Sequence, residues 1–186
     1  MFVAAGSNAA GFCQWARALG EPATVLGEAL PPGLRLLLLD ARELFRPESG
    51  RALKQVFDSA RSQRALIALD LGPPAWIRER GGPRTAYQLA TLQADIIFSS
   101  AESAAEVGAP LEGITSVPVV TMGAEGCSVF GHRLVAPEGT DQNAVGFMAA
   151  FCVALVDGLA PVEAAGRAVL AAAGRLVEAA QEAPAG

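Results

Sequence analysis

The run LRLLLLD, from Leu34 to Asp40, indicates the fold class of this chain. Apart from one arginine it is apolar until it ends at an aspartate, which is typical of a strand buried on both faces. Three similar runs follow it: ALIALDL (65–71), DIIF (95–98) and PVVTM (118–122). Segments with the apolar spacing of helices lie between these runs. The alternation predicts an α/β fold, a doubly wound and mostly parallel sheet with helices on both faces.

The other segments fit the same plan. Helices are predicted at 8–19, 47–62, 85–93, 101–107, 142–157 and 161–181, a short strand at 23–26, and a hairpin at 127–136. A length of 186 residues suits one domain, with residues 34–181 as its core and 182–186 as a frayed tail. Ligands of such sheets bind beyond the carboxyl ends of the strands, so the residues after each run are candidates.

Composition excludes several classes of function. Hydrophobic residues make up 52% of the chain and charged residues 18%, and the net charge is −5. Disorder, general nucleic-acid binding and attachment to anionic membranes are therefore not expected. The longest apolar run, Ala144–Val156, is shorter than the roughly 20 residues of a membrane span. With no basic leader and three scattered cysteines (Cys13, Cys127, Cys152), we expect a cytoplasmic protein with buried thiols and no zinc site.

Five segments then occur in the order of a known family. They are GSNAAG (6–11) before a helix, the strand–helix–strand from 36 to 70, ADIIFSS (94–100), VVTMGAEG (119–126) and GTDQNAVGFMAAF (139–151). Together they resemble the ribokinase, or phosphofructokinase-B-type, family of sugar and nucleoside kinases. The resemblance implies transfer of a phosphoryl group to an alcohol, with ATP, ADP and Mg²⁺ as cofactors.

The resemblance also assigns residues to roles. It implies nucleotide contacts at Thr121, Gly123 and Gly126, and a metal-linked carboxylate at Glu102. The substrate side would comprise Gly6, Ser7, Gly11 and Asp70, and residues 1–30 would be the remnant of the family's N-terminal substrate region. For the two glycines of the nucleotide loop, a purely structural role in a tight turn is preferred over a nucleotide contact.

At the chemical positions the sequence departs from the family pattern. Gln142, Asn143 and Ala144 stand where the family has the Gly-Ala-Gly of its anion hole, and Val145 stands where it has the catalytic aspartate. Valine cannot accept a proton, and loss of a general base costs about 10²–10⁴ in rate. Glu102 lies one position away from the family's glutamate, so its side chain is expected to point elsewhere.

Further family residues are replaced or missing. Gly11 replaces the family's sugar-contacting asparagine, and residues 70–74 lack the polar amide and guanidinium of an Asp-x-Asn-x-Arg motif. Between Leu30 and Leu34 the chain passes directly into the core, so the small lid sheet is expected to be missing. The strand that precedes the glycine motif is expected to be missing too.

These departures favour a pseudokinase that acts by self-association or partner binding and retains a nucleotide contact. A homo-oligomer is expected, because loss of a lid exposes former interface surface. The alternative is an active kinase with Asp141 as a relocated base, although an N-cap role for Asp141 is preferred. A metabolite-binding regulator is a third option. The basic cluster 78–84 is interpreted as a solvated loop, with a phosphate clamp as the alternative.

Overall fold

The computed structural model describes residues 1–27, 29–46, 50–138 and 143–173. Eight strands form one sheet in the order β2-β1-β3-β4-β5-β6-β7-β8. They are β1 Phe2–Ala5, β2 Ala23–Val25, β3 Leu36–Asp40, β4 Leu66–Asp70, β5 Ile96–Ser100, β6 Val117–Thr121, β7 Cys127–Val129 and β8 His132–Leu134. The first six strands run parallel, and β7 and β8 add an antiparallel hairpin at one edge. The predicted α/β class and hairpin are confirmed.

Helices cover both faces of the sheet. They are α1 Ala9–Ala18, α2 Ala41–Leu44, α3 Gly50–Ser62, α4 Pro74–Arg80, α5 Gly82–Leu92, α6 Ala101–Val107, α7 Ala144–Val156 and α8 Pro161–Ala172. The strand β3 shows why two layers are needed, since Leu36 and Leu38 enter the core beneath α1, α7 and α8, whereas Leu37 and Leu39 enter the core of the opposite face. Successive strand residues point to opposite faces, so an all-apolar strand requires cover on both.

The helix α7 is the most enclosed helix of the described part of the chain. All its residues from Gly146 to Ala154 are buried. The rings of Phe147 and Phe151 lie 6.0 Å apart and meet the edge of Phe98 on β5, at 6.5 and 5.5 Å between centroids. Edge-to-face contacts of this kind add to the burial energy of aromatic side chains. They fix the height and rotation of α7 over the sheet.

Two expectations about the beginning of the chain meet different outcomes. The prediction that no strand precedes Gly6 is wrong, because β1 lies inside the sheet between β2 and β3. Its four residues are too few to stand out in the sequence, yet Phe2, Val3 and Ala4 are fully buried. In the described residues every strand belongs to the one sheet, and no separate lid sheet is present.

Other boundaries also shift. The short helices α2 and α4 were not predicted, and α4 and α5 replace the loop expected at 78–84, because Pro74 and Pro83 at their first turns favour helix initiation. The helix α7 begins at Ala144 and not at residue 142. The expected helix start at 47 and helix end at 181, like the tail 182–186, lie outside the described residues. No helix in the described part is long and apolar enough to cross a membrane.

Candidate functional site

A crevice of about 380 Å³ opens at the carboxyl ends of the parallel strands. Its walls come from residues at or just after the ends of β1, β3, β4, β5 and β6 and from the first turns of α7, including Ser7, Arg42, Asp70, Ser100, Thr121 and Met148. Parallel strands all end at the same edge, and ligands of doubly wound sheets bind there. The crevice is therefore the candidate functional site.

At one end of the crevice, an arginine is paired with a buried aspartate two residues before it. Arg42 donates from Nε to both oxygens of Asp40, at 3.0 and 3.1 Å, and from Nη2 to Oδ2 at 2.5 Å. Arg42 Nη2 also donates to Ser7 Oγ at 2.7 Å. Burial acts to raise the pKa of Asp40, but the hydrogen bonds from Arg42 and Ser7 and the charge of Arg42 outweigh it, and the pKa lies below its ordinary value. Asp40 is thus a carboxylate with a committed counter-ion.

This pairing depends on the glycine before Ser7. Gly6 has a φ of 108°, and a Cβ there would lie 2.3 Å from Asp40 Cβ. Glycine adopts such a φ without steric cost. It thereby lets the end of β1 approach β3 closely enough for Ser7 Oγ to donate to Asp40 Oδ2 at 3.1 Å.

A second carboxyl group lies deeper in the crevice. Asp70 ends β4 and accepts hydrogen bonds from Asn8 Nδ2 at 2.8 Å and from the backbone N–H of Gly72 at 3.2 Å. Burial raises the pKa of Asp70, and the nearby charge of Asp40 adds to this, against the lowering effect of the two hydrogen bonds and of Arg42. The net result is a pKa of Asp70 above its ordinary value.

Hydroxyl groups line the far side of the crevice. Ser100 Oγ caps α6 by accepting from the N–H of Ser103 and donates to Ser103 Oγ, both at 3.0 Å. Thr121 Oγ1 donates to the carbonyl of Ser99 at 3.2 Å. The residue Ser99 is 4% exposed, and its Oγ has no hydrogen-bond partner among the described residues. Hydroxyls both donate and accept, so this wall suits a ligand that does the same.

The beginning of α7 differs from expectation. Asn143 precedes the helix, and its Oδ1 accepts hydrogen bonds from the N–H groups of Val145 and Gly146, both at 3.0 Å. The prediction that Asp141 is the N-cap is therefore wrong, because an asparagine two positions later satisfies the free helix donors. The predicted site roles of Asp141 and Gln142 concern positions outside the described residues.

The first two helical residues of α7 face different surroundings. Ala144 lines the crevice, and so does Met148 one turn later. Val145 is rotated away and lines a second, apolar cleft between α1 and α7, together with Gly11 and Trp15. A Cβ at Gly11 would be 3.3 Å from Val145 Cγ1, so the two helices are in close contact here.

The glycine loop after β6 has a structural explanation. Thr121 lines the crevice, whereas Gly123 and Gly126 are not among its walls. Gly126 has a φ of 103°, and a Cβ there would lie 1.9 Å from the carbonyl oxygen of Leu134 on β8. Its lack of a side chain lets the hairpin fold back on the loop. A nucleotide contact at these three residues stays a prediction.

The remaining candidates lie apart from the crevice. Glu102 is exposed in the first turn of α6, and no group of three His, Cys, Asp or Glu among the described residues could hold a metal ion. Arg78 pairs with Glu106, and Arg80 lies over the rings of Phe45 and Trp76, 4.8 and 5.2 Å from their centroids. The expectation of a loop at 78–84 is wrong, because the segment is helical, but Arg78 and Arg84 are exposed as expected. None of its arginines lines the crevice.

Solved structures share this architecture. Adenosine kinase from Sinorhizobium meliloti superposes with a TM-score of 0.66 at 18% identity, covering 81% of this chain and 54% of that one. This protein has a ribokinase-like fold. Fructokinase from Vibrio cholerae gives a TM-score of 0.57 at 16% identity, covering 80% of this chain and 60% of the kinase. Aminoimidazole riboside kinase from Salmonella enterica, complexed with aminoimidazole riboside and an ATP analog, gives 0.57 at 15%, with 77% and 57% covered.

The likeness establishes the ribokinase-like fold and not an activity, because identities are below 20%. The chain spans 54 to 60% of the length of these kinases. No protein-family model matches the sequence, and no curated protein matches it at a significant level. The crevice occupies the strand-end position at which doubly wound folds bind ligands.

Sequence reasoning missed several residues of this crevice. Asn8, Asp40, Arg42, Ser99 and Ser103 all contribute to the crevice or its network, and none was assigned a role. The signal for Asp40 was present, because it directly follows an apolar strand. Nothing in the sequence marked Arg42, because its hydrogen bonds to Asp40 depend on the geometry of the turn after β3.

We expect Asp70→Asn to raise the free energy of unfolding at neutral pH. The pKa of Asp70 is raised in the folded state, so the stability due to its proton is complete below the unfolded value of about 3.9 and is lost as pH rises through the folded value. The amide carries no charge to desolvate, and the difference from the wild type should vanish below about pH 3.9. Urea unfolding across this range measures it.

The control for this comparison is Asp58→Asn, which removes an equal charge from an exposed position of α3. It should show no such gap. A gap between Asp70→Asn and the wild type that widens as pH falls would contradict the assignment of a raised pKa to Asp70.

The two loop glycines should differ in their response to alanine. Gly123 has a φ of 57° with open space around it, so Gly123→Ala should cost about 1–2 kcal/mol. Gly126→Ala adds a backbone clash, which brings a further cost of about 1–3 kcal/mol. Urea unfolding measures both, and equal losses would show that the contact with Leu134 does not explain Gly126.

Proposed function

We propose that this ribokinase-like chain is a pseudokinase, which binds a ligand or a partner and does not transfer phosphate. The observation that carries the proposal is the beginning of α7. There, at the position that the resemblance gives to the catalytic base, Val145 packs toward Gly11 and lies outside the crevice.

The contact between Gly11 and Val145 supports the proposal from both sides. The family pattern implies a sugar-contacting asparagine at Gly11 and an aspartate at Val145. In this chain the first position is a glycine without a side chain and the second is an apolar valine. The two lie so close that a Cβ at Gly11 would be 3.3 Å from Val145 Cγ1. An apolar contact between helices stabilises packing but offers no group that accepts a proton.

The nucleotide and metal that the fold family uses also fit poorly. An anion hole requires free backbone N–H groups at the start of a helix. Here the N–H groups of Val145 and Gly146 are taken by Asn143 Oδ1. Among the described residues there is no carboxylate cluster for Mg²⁺ either. We therefore derive no step of catalysis through ATP or Mg²⁺, although Thr121 remains a candidate contact for the uncharged part of a nucleotide.

We expect no ADP above background when the protein is incubated with ATP, Mg²⁺ and adenosine, ribose or fructose. The reason is the loss of the base, which by itself costs about 10²–10⁴ in rate. A coupled assay for ADP measures this, with the Sinorhizobium meliloti adenosine kinase as the positive control.

The alternative, an active kinase that uses Asp141, makes the opposite prediction. Adenosine- or sugar-dependent formation of ADP that disappears in Asp141→Asn would establish the alternative and defeat the proposal. The variant Asp58→Asn is the matched control, since it carries the same change at an exposed site away from the crevice.

Self-association in a reducing cytoplasm completes the proposed function. Cys13, Cys127 and Cys152 are free and buried, as suits such a compartment. Among the described residues, three of the five large exposed apolar side chains lie on the β7–β8 hairpin and on α8, which packs against it: Phe130, Val135 and Leu170. Exposed apolar surface of this kind favours association with a second copy.

We expect the protein to sediment as a dimer or larger at micromolar concentration. Val135 is 73% exposed, so Val135→Glu should preserve the fold and shift the protein toward monomer, because it places a charge at an exposed apolar position beside the hairpin. Tyr87, also 73% exposed but on α5, supplies the control Tyr87→Glu, which should leave the assembly unchanged. A monomeric wild type would refute self-association.

A further inference from the structure

The sheet ends at two outer strands, β2 on one side and β8 on the other. The outer side of such a strand carries backbone N–H and C=O groups that face no neighbouring strand, and these groups can pair with a strand of another chain. Proteins commonly block an edge with side chains, charges or a covering segment. The two edges of this sheet differ in how far they are blocked.

The edge at β2 is blocked by a side chain of its own chain. The carbonyl of Pro22 accepts from β1 and the N–H of Leu26 donates to β1. Residues of a strand alternate in direction, so Ala23 and Val25 turn their backbone groups outward. The outward carbonyl of Ala23 accepts from Arg17 Nε at 2.8 Å. A strand added at this edge would have to displace that hydrogen bond.

The edge at β8 is open in the described part of the chain. The turn 130–131, with φ of 51° and 75°, joins β7 to β8 as a two-residue hairpin. In such a hairpin inward and outward residues alternate, which turns the backbone groups of Arg133 and Val135 away from the sheet. The carbonyl of Leu134, by contrast, points inward to Gly126. The N–H and C=O of Val135 have no hydrogen-bond partner among the described residues.

The charge on this open edge is compensated within the chain. A charged side chain on an edge strand discourages pairing with another strand. Arg133 forms an ion pair with Glu125, which lies in the loop before β7. The pair removes the usual deterrent. Because β8 has only three residues, the apolar surface beside it must contribute to any association.

Apolar side chains stand beside the open edge. Val135 is 73% exposed. On α8, Gly166 lies over β8, and a Cβ there would be 3.8 Å from Leu134 Cδ2. Leu170 follows four residues later on the same face of α8 and is 44% exposed. A strand that paired with β8 would therefore bring apolar cover to Val135 and Leu170, which favours association.

A second copy of the chain fits this edge in one register. A two-fold axis makes the two β8 strands antiparallel. With the axis beside Leu134, Arg133 of each copy lies opposite Val135 of the other, and each such pair exchanges two backbone hydrogen bonds. With the axis beside Arg133, the two arginines would face each other, and like charges directly opposite are destabilising. Charge thus selects the register centred on Leu134.

We propose that two copies of this chain pair along β8, antiparallel about a two-fold axis beside Leu134, so that their sheets join into one continuous sheet. This rests on the self-association in the proposed function and specifies the surface that performs it. The helix α8 lies on the same face of the joined sheet in both copies, so Leu170 of each approaches the junction.

The variant Val135→Pro tests the backbone contact. It removes an outward N–H but keeps an apolar side chain, and no hydrogen bond within the described residues is lost. We expect the dissociation constant of the dimer to rise at least about tenfold, because symmetry removes two hydrogen bonds from each dimer. Sedimentation velocity over a concentration series measures it. Val25→Pro, which removes an outward N–H from the edge at β2, is the matched control and should leave the dissociation constant unchanged.

Amide hydrogen exchange tests the same contact in the wild type. Peptides that span 131–136 carry the N–H groups of Arg133 and Val135. These two groups should exchange at least about tenfold more slowly well above the dissociation constant than well below it. Peptides that span 22–27, from the edge at β2, should exchange at the same rate in both conditions. Mass spectrometry measures both.

The outcomes separate this proposal from the proposed function. A dimer that Val135→Glu weakens and Val135→Pro leaves unchanged keeps self-association but overturns pairing along β8. A monomeric wild type overturns both. Exchange in 131–136 that does not depend on concentration also overturns the pairing, and this comparison stands even if Val135→Pro fails to fold. Formation of ADP bears on the pseudokinase alone.

Discussion

The packing of α7 on the sheet is the constraint on which the candidate site depends. Phe147 and Phe151 pack against Phe98 on β5, and α1 and α8 contact the helix on its other sides. On any helix, residues four apart share a face and neighbouring residues do not. The fixed rotation of α7 decides which of its faces meets the crevice. Ala144 and Met148 therefore face the crevice, while Val145 is turned to α1. The burial of α7 that stabilises the core therefore also determines which of its side chains line the crevice.

The crevice retains the position of a ligand site but has a different electrostatic character from a phosphate site. Its ion pair is internal, two of the first N–H groups of α7 are satisfied by a neighbouring side chain, and burial raises the pKa of its deeper carboxyl group. Each of these features removes an attraction for anions, and each arises from residues of this chain alone. A ribokinase-like scaffold can thus keep its sheet, its helices and its strand-end opening while the chemistry of the opening changes.

The sequence predicted the parts of the fold that rest on long apolar periodicity. The strands β3 to β6 and the helix α6 follow from runs that only a buried strand or an amphipathic helix explains. The strand β1 was missed because four apolar residues at a chain end carry no period. The cap at Asn143 was missed because aspartate and asparagine are equally good caps, and only the position of the helix decides between them.

Less of the site could be predicted. The place of Asp70 follows from the rule that ligands bind beyond strand ends, but its hydrogen bond comes from Asn8, which lies 62 residues away in sequence. The network of Arg42 and Ser7 likewise joins segments 35 residues apart. The stacking of Arg80 on Phe45 and Trp76 was invisible because a run of charges resembles a solvated surface until its aromatic partners are placed. Side-chain pairing across elements is the information that periodicity lacks.

The pairing of Asp40 with Arg42 involves residues only two apart, at the boundary between β3 and a single turn of helix. Such a contact needs almost no chain closure to form, although Gly6 and Ser7 must also lie against it. The electrical character of the crevice is consequently encoded in one tripeptide, separately from the aromatic core that holds the fold together. A mutation at either residue would alter the charge at the crevice and break a buried ion pair, while the aromatic contacts that hold α7 would stay in place.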